Sequence, residues 1–107
     1  FHGVFGMIEF PPILLEEIPL KNSILKARFL VPLIPVLSED RQWFEIEYDH
    51  WALSVFSKTT DGLIPEITEQ LPMLWTFLGK ESDENLTLDG QQVKQQLQKD
   101  WEELSHV

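Results

Sequence analysis

Two glutamates on one predicted strand are the first candidates for chemistry. Glu45 and Glu47 alternate with the apolar and aromatic residues of the segment 44–48, so their side chains share one strand face at a spacing of roughly 7 Å. Paired carboxylates at related distances perform acid–base catalysis in glycosidases. Such catalysis also needs a cleft and two unequal environments, whereas alternating glutamates are usual on the solvated face of a sheet. We therefore predict that Glu45 and Glu47 face solvent or a partner protein.

A histidine beside an aspartate is the second candidate. His50 follows Asp49, and contact with a carboxylate would orient its imidazole as a general base. No serine or cysteine stands out as its nucleophile, and the three histidines have no spacing typical of a zinc site. We therefore interpret His50 as a turn residue and predict a non-enzymatic protein without a catalytic, metal or cofactor site. The alternative is a small acid–base enzyme that uses Glu45, Glu47 or His50.

The charge of the chain restricts its partners. The chain has 18 Asp and Glu residues against 8 Lys and Arg residues, and its formal charge is -10. A negative field of this size repels a phosphate backbone, so we predict no direct binding of nucleic acid. The same field attracts a basic protein during encounter. The alternative is that the acidity only prevents aggregation.

Length and composition predict one domain over residues 7–107, and we interpret residues 1–6, ahead of Met7, as a remnant of cloning. No apolar run reaches the roughly 18 residues that span a bilayer, so we predict no membrane contact. The chain has no cysteine, which fits a reducing compartment. We therefore predict a cytoplasmic protein.

Alternating hydrophobicity marks the predicted strands, which are residues 13–18, 24–37, 43–48 and 51–56. The second of them is the longest, and its odd positions from 25 to 33 form one continuous apolar face. Pro32 and Pro35 interrupt its second half, which favours an edge strand or a bend. The third has the clearest alternation and predicts a sheet with one face on the core and one face towards water.

Two helices are predicted after the strands. Residues 59–61 should start the first helix, whose apolar stripe places Trp75 in the core, and Pro72 should kink or end it. Thr87 should cap the second helix. The narrow apolar stripe of that helix is predicted to be Leu88, Val93, Leu97, Trp101 and Leu104. Trp101 is interpreted either as a core residue or as an anchor for a partner.

The order of these elements resembles that of HicB-like antitoxins. The resemblance rests on residues 30–40, on the strand 43–48, and on residues 53–59 with the helix that follows them. It implies a partial double-stranded-RNA-binding-like fold, in which helices pack on one face of an antiparallel sheet. It also implies that the chain neutralises a small basic toxin that cleaves RNA.

The sequence thus predicts an α+β fold with an antiparallel sheet of three to four strands and two helices on one face. The predicted function is that of an antitoxin-like protein-binding module, and the predicted partner-binding residues are Glu45, Glu47, Trp101 and Leu104. A homodimer is also predicted, because the residues opposite the apolar face of the long strand and the stripe with Trp101 would otherwise be exposed. A structural homo-oligomeric subunit is the remaining alternative.

Overall fold

The computed structural model of the chain describes residues 10–105. Among these residues, six strands form two antiparallel sheets of three strands each, with the orders β1-β2-β6 and β3-β4-β5. The strands are β1 Glu17–Pro19, β2 Ser23–Ala27, β3 Val36–Leu37, β4 Phe44–Tyr48, β5 Leu53–Ser57 and β6 Trp101–Ser105. The helices are α1 Leu63–Leu74 and α2 Leu88–Asp100, with 3-10 turns at Asp49–Trp51 and Asp83–Asn85 and a π turn at Trp75–Gly79. The α+β fold, the antiparallel pairing and the two helices are confirmed, and the strands are divided between two sheets.

Some sequence predictions fall outside the described residues. The predicted cloning remnant at residues 1–6 lies there, as do His2 and His106.

The strand β4 has the predicted alternation. The side chain of Ile46 is buried with 1% exposure, and those of Phe44 and Tyr48 pack against the same core. Glu47 is exposed and Glu45 is half-buried on the opposite face. The prediction that the two glutamates face away from the core is therefore confirmed.

The long apolar run does not form one strand. The strand β2 ends at Ala27 and β3 begins only at Val36, with Pro32 and Pro35 between them. Leu25 and Leu33 are buried as predicted, but Phe29, which was predicted on the same face, is 53% exposed. Pro32 and Pro35 lie within this interruption, where they cannot donate the hydrogen bonds of a continuous ladder.

The helix α1 begins where the sequence predicted. The N–H of Gly62 donates to Thr59 Oγ1 at 3.0 Å, and the first helical residue is Leu63. The helix does not end at Pro72, which was one of the two predicted outcomes: it continues to Leu74 and then widens into the π turn, where Lys80 N–H donates to Trp75 O. The proline removes one N–H donor, and packing of α1 against β5 holds the rest of the helix in place.

The helix α2 begins as predicted and ends earlier than predicted. Thr87 Oγ1 accepts the N–H of Gly90 at 3.1 Å, which confirms the predicted cap. The helix stops at Asp100, and residues 101–105 form β6 instead of its last turn. In β6, Trp101 lies opposite Ala27 of β2, and the N–H of Arg28 donates to Asp100 O at 2.8 Å.

One hydrophobic core joins both sheets and both helices. Its buried side chains are Ile18, Leu25, Leu33, Ile46, Trp51, Leu53, Val55, Leu63, Ile67, Leu71, Trp75, Leu97 and Trp101. The rings of Trp51 and Trp101 meet edge to face with centroids 5.5 Å apart.

Trp51 Nε1 donates to the buried carboxylate of Asp100 at 2.8 Å, and Gln96 Nε2 donates to the same oxygen at 2.8 Å. Burial of Tyr48 and the nearby charge of Asp100 raise the pKa of that phenol.

A carboxylate on β6 connects this strand to β2 and to the π turn. Glu103 accepts hydrogen bonds from Trp75 Nε1 and from Ser23 Oγ, each at 2.8 Å. Lys80 Nζ lies 3.2 Å from the same carboxylate. The hydrogen bond from Trp75, followed by that from Ser23, holds the pKa of Glu103 below its ordinary value of 4.5.

The depressed pKa of Glu103 predicts acid sensitivity. The unfolded chain binds this proton more readily than the folded chain, so the contribution to stability is present above the ordinary value of 4.5. It is lost as the pH falls through the lower pKa of the folded state. We expect the urea midpoint to decrease over this window, and to decrease less in Glu103→Gln. Glu84→Gln, at an exposed position, serves as the control. An equally reduced pH dependence of the urea midpoint in this control would contradict the role of Glu103.

Candidate functional site

The structure places the four predicted partner-binding residues on two different sheets. Glu45 and Glu47 lie on β4 of the second sheet, and Trp101 and Leu104 lie on β6 of the first. Of the two interpretations of Trp101, that of an exposed anchor on a helix is wrong and that of a core residue is confirmed, because the side chain lies in the core with 2% exposure. Leu104 is 41% exposed.

The structure does not bring the candidate acid–base residues together. His50 is exposed in the 3-10 turn, with its ring centroid 5.3 Å from that of Tyr48. It lines an open groove of about 600 Å³ against the polar side of α2, together with Asp49, Asp89 and Lys99. Glu45 and Glu47 line a separate hollow on the second sheet.

The second sheet has an exposed surface that combines aromatic, aliphatic and acidic side chains. We call the surface formed by Val36, Trp43, Glu45, Glu47 and Phe56 the outer face. The pairing of the three strands determines where these residues lie on the face: Val36 lies opposite Glu45, and Glu45 lies opposite Phe56. Val36 and Phe56 are each 59% exposed. The two apolar side chains thus flank Glu45 on one face of the sheet, and exposed apolar groups gathered on one face are typical of interaction sites.

Two aromatic rings form one end of the outer face. Trp43 and Phe56 meet edge to face with centroids 5.6 Å apart. Lys58 Nζ lies 5.4 Å from the centroid of the Trp43 ring, a distance at which the cation and the ring attract each other. These contacts give the outer face an ordered aromatic surface.

Hydrogen bonds in the preceding loop position Trp43. Its N–H donates to Ser38 Oγ at 3.1 Å, and its carbonyl accepts the N–H of Ser38 at 2.8 Å. The hydroxyl of Ser38 in turn donates to Asp40 Oδ1 at 2.6 Å, and Gln42 N–H donates to the same oxygen at 3.1 Å. These two bonds lower the pKa of Asp40. The loop therefore keeps a charged carboxylate beside the aromatic end of the outer face.

Negative charge surrounds the outer face. Besides Glu45 and Glu47, the loop carboxylates of Glu39 and Asp40 line an adjacent hollow of about 530 Å³ that includes Trp43. The nearby cations are Lys58 and Arg41, which gives four carboxylates against two positive charges. An apolar surface within a negative field fits a segment that is itself basic and partly apolar.

Sequence reasoning identified the two glutamates of the outer face and missed its aromatic part. Trp43 has the same odd-numbered spacing as Glu45 and Glu47, which places it on the same side of the strand. Phe56 alternates with the buried Leu53 and Val55. Extending the alternation by one residue on β4, and applying it to β5, would have found both rings.

The described part of the chain shows neither a membrane span nor a metal centre. Between residues 10 and 105, no helix combines the length and apolarity needed to cross a bilayer. Over the same residues, no cluster of three or more histidine, aspartate or glutamate side chains is arranged to hold a metal ion.

Comparisons with protein-family models, with curated proteins and with solved structures gave no match to this chain. The resemblance to HicB-like antitoxins therefore stays a prediction from the sequence.

Proposed function

We propose that this chain is a non-enzymatic protein-binding module whose outer face binds a basic protein. The observation that carries the proposal is the surface of the exposed Val36 and Phe56 and the half-buried Trp43, beside which four carboxylates lie. Burial of the apolar groups would supply most of the binding free energy, at about 25 cal/mol per Å² of apolar surface. The carboxylates would select a basic partner and accelerate encounter.

The resemblance to HicB-like antitoxins supports a more specific partner. A small basic toxin that cleaves RNA has the charge that the outer face requires. Binding would neutralise the toxin by covering its basic surface, which is also the surface that such a protein needs for RNA. This proposal implies a cytoplasmic complex, where the RNA substrate is found.

A second copy of the chain fits the outer face less well. A two-fold contact there would bring Glu45 and Glu47 of both copies together, and like charges opposite each other are destabilising. The exposure of Ile34 and Val36, which contributed to the homodimer prediction, is confirmed at 56% and 59%. The second argument for a homodimer is lost, because Trp101 is buried. Sedimentation of the isolated chain tests this alternative, and a dimer that the variant Val36→Glu dissociates would favour it.

Charge reversal on the outer face is expected to weaken binding of the partner. We expect the immobilised chain to retain a basic protein from native lysate, identified by mass spectrometry and then purified for titration. The double variant Glu45→Lys with Glu47→Lys should weaken its binding by about tenfold or more, or ~1.4 kcal/mol. Purified partner should also cleave RNA, and the wild-type chain should suppress that cleavage.

A matched control separates the outer face from net charge. Glu66→Lys with Glu84→Lys changes the charge by the same amount at exposed positions on α1 and in the second 3-10 turn. We expect this variant to bind like wild type. Equal loss in both double variants would show that only the overall charge matters, and a captured partner that is acidic would contradict the proposal.

A further inference from the structure

A small hollow lies at the edge of the outer face. We call it the edge hollow, and Ile34, Val36, Glu45 and Glu47 line it. It is located between β4 and the edge strand β3, which has only two residues. Its volume is about 210 Å³, below the roughly 300 Å³ at which pockets for small molecules begin. The size therefore fits one long side chain better than a metabolite.

The walls of the edge hollow have two kinds of chemistry. Ile34 and Val36 are exposed aliphatic side chains, and nothing in the described chain covers them completely. Glu45 and Glu47 supply two carboxylates that accept no side-chain hydrogen bond and form no ion pair with residues 10–105. A ligand with an aliphatic stem and a cationic end would satisfy both kinds of wall.

We propose that the edge hollow binds a single arginine side chain of the partner, an inference that rests on the proposed function. The guanidinium is planar and has five donors in a fixed arrangement, so it can bridge Glu45 and Glu47, whose backbone positions are roughly 7 Å apart. Its methylene stem would lie along Ile34 and Val36. A lysine ammonium is a compact and strongly hydrated charge that loses more hydration and reaches one carboxylate at a time.

The aliphatic walls of the edge hollow also favour an arginine side chain over a free cation. A small ion would leave the aliphatic walls in contact with water, whereas an arginine stem removes them from it. Lys58 lies above the ring of Trp43 and not in the edge hollow. The hollow is therefore open to a cation from another chain.

Three peptides that differ only in their cationic residues test the inference. They share length and sequence and carry arginine, lysine or the uncharged citrulline at the same positions. Titration of the full chain is followed by backbone amide shifts. We expect the arginine peptide to bind about fivefold tighter than the lysine peptide, and citrulline to reduce binding by about tenfold or more. The largest shifts should be at residues that line the edge hollow.

Single variants locate the arginine. Glu47→Gln should reduce the arginine-to-lysine ratio to about twofold or less, since it removes one end of the bridge. The exposed control Glu84→Gln should leave the ratio unchanged, and amide spectra establish that both variants are folded. Equal affinity for arginine and lysine peptides, with shifts at Trp43 and Phe56, would overturn the arginine inference and leave the proposed function standing. If none of the basic peptides shifts the amide signals of the outer face, both the arginine inference and the proposed function are contradicted.

Discussion

Replacing Trp101 by alanine is expected to lower the free energy of unfolding by about 3–5 kcal/mol. The indole is 2% exposed and packs edge to face on Trp51. Trp101 is also the first residue of β6, where it lies opposite Ala27 of β2. A domain of this size is stabilised by about 5–15 kcal/mol in total, so roughly a fifth or more of the stability should disappear. Urea denaturation followed by circular dichroism measures the loss.

Phenylalanine variants of the two tryptophans provide the control. Trp101 Nε1 is buried and has no hydrogen-bond partner among the described residues, so Trp101→Phe removes no hydrogen bond. Trp51→Phe removes the donor to Asp100 and should cost about 1–3 kcal/mol more than Trp101→Phe. A Trp101→Ala variant that unfolds like wild type would contradict the burial of the indole and favour the alternative of an exposed anchor.

Replacing Ile46 by alanine is expected to lower the free energy of unfolding by about 2–5 kcal/mol, because it creates a cavity at a side chain with 1% exposure. The neighbouring change Glu47→Ala should alter it by less than about 0.5 kcal/mol, since Glu47 is exposed. The two positions are adjacent on one strand, so the comparison tests the register of β4 directly. The midpoint of urea denaturation at neutral pH is the measurement.

A reversal of these two costs would contradict the structure. A slip of one residue would turn every side chain of β4 to the opposite face. Ile46 would then join the outer face and Glu47 would enter the core. The outer face and the proposed binding site would both be lost with that register.

Local signals were sufficient where one residue pattern determined the structure. The alternation around Ile46 predicted β4 and its buried face. Thr87 predicted the start of α2, because a hydroxyl before a helix satisfies a free N–H. Such patterns depend on residues that are neighbours in the sequence, so they do not require knowledge of segments far away along the chain.

The end of α2 could not be predicted in the same way. Trp101 and Leu104 are three residues apart and fit the stripe of a helix, but Trp101 begins a strand that pairs with β2. Pairing with residues nearly 80 positions earlier decides the outcome. A weaker local signal was present, since Glu102 and Glu103 are acids where a helix C-terminus favours cations.

The candidate site was predictable in part for the same reason. Glu45 and Glu47 were placed correctly, because a single strand determines their side. The contribution of Val36 and Phe56 depends on the register between three strands. His50 is only two residues after Tyr48 of β4, yet the 3-10 turn directs it to α2 and away from the outer face.

The pairing of β6 with β2 has a consequence for synthesis of the protein on the ribosome. The second sheet is encoded within residues 36–57 and can assemble while the rest of the chain is still being made. The first sheet cannot close until residue 105 has emerged, because its central strand waits for β6. Contacts between such distant segments form slowly, since the intervening chain must first be closed into a loop. Until then the apolar side chains that β6 will cover remain accessible, so the nascent chain is a more probable substrate for chaperones and proteases than the finished one.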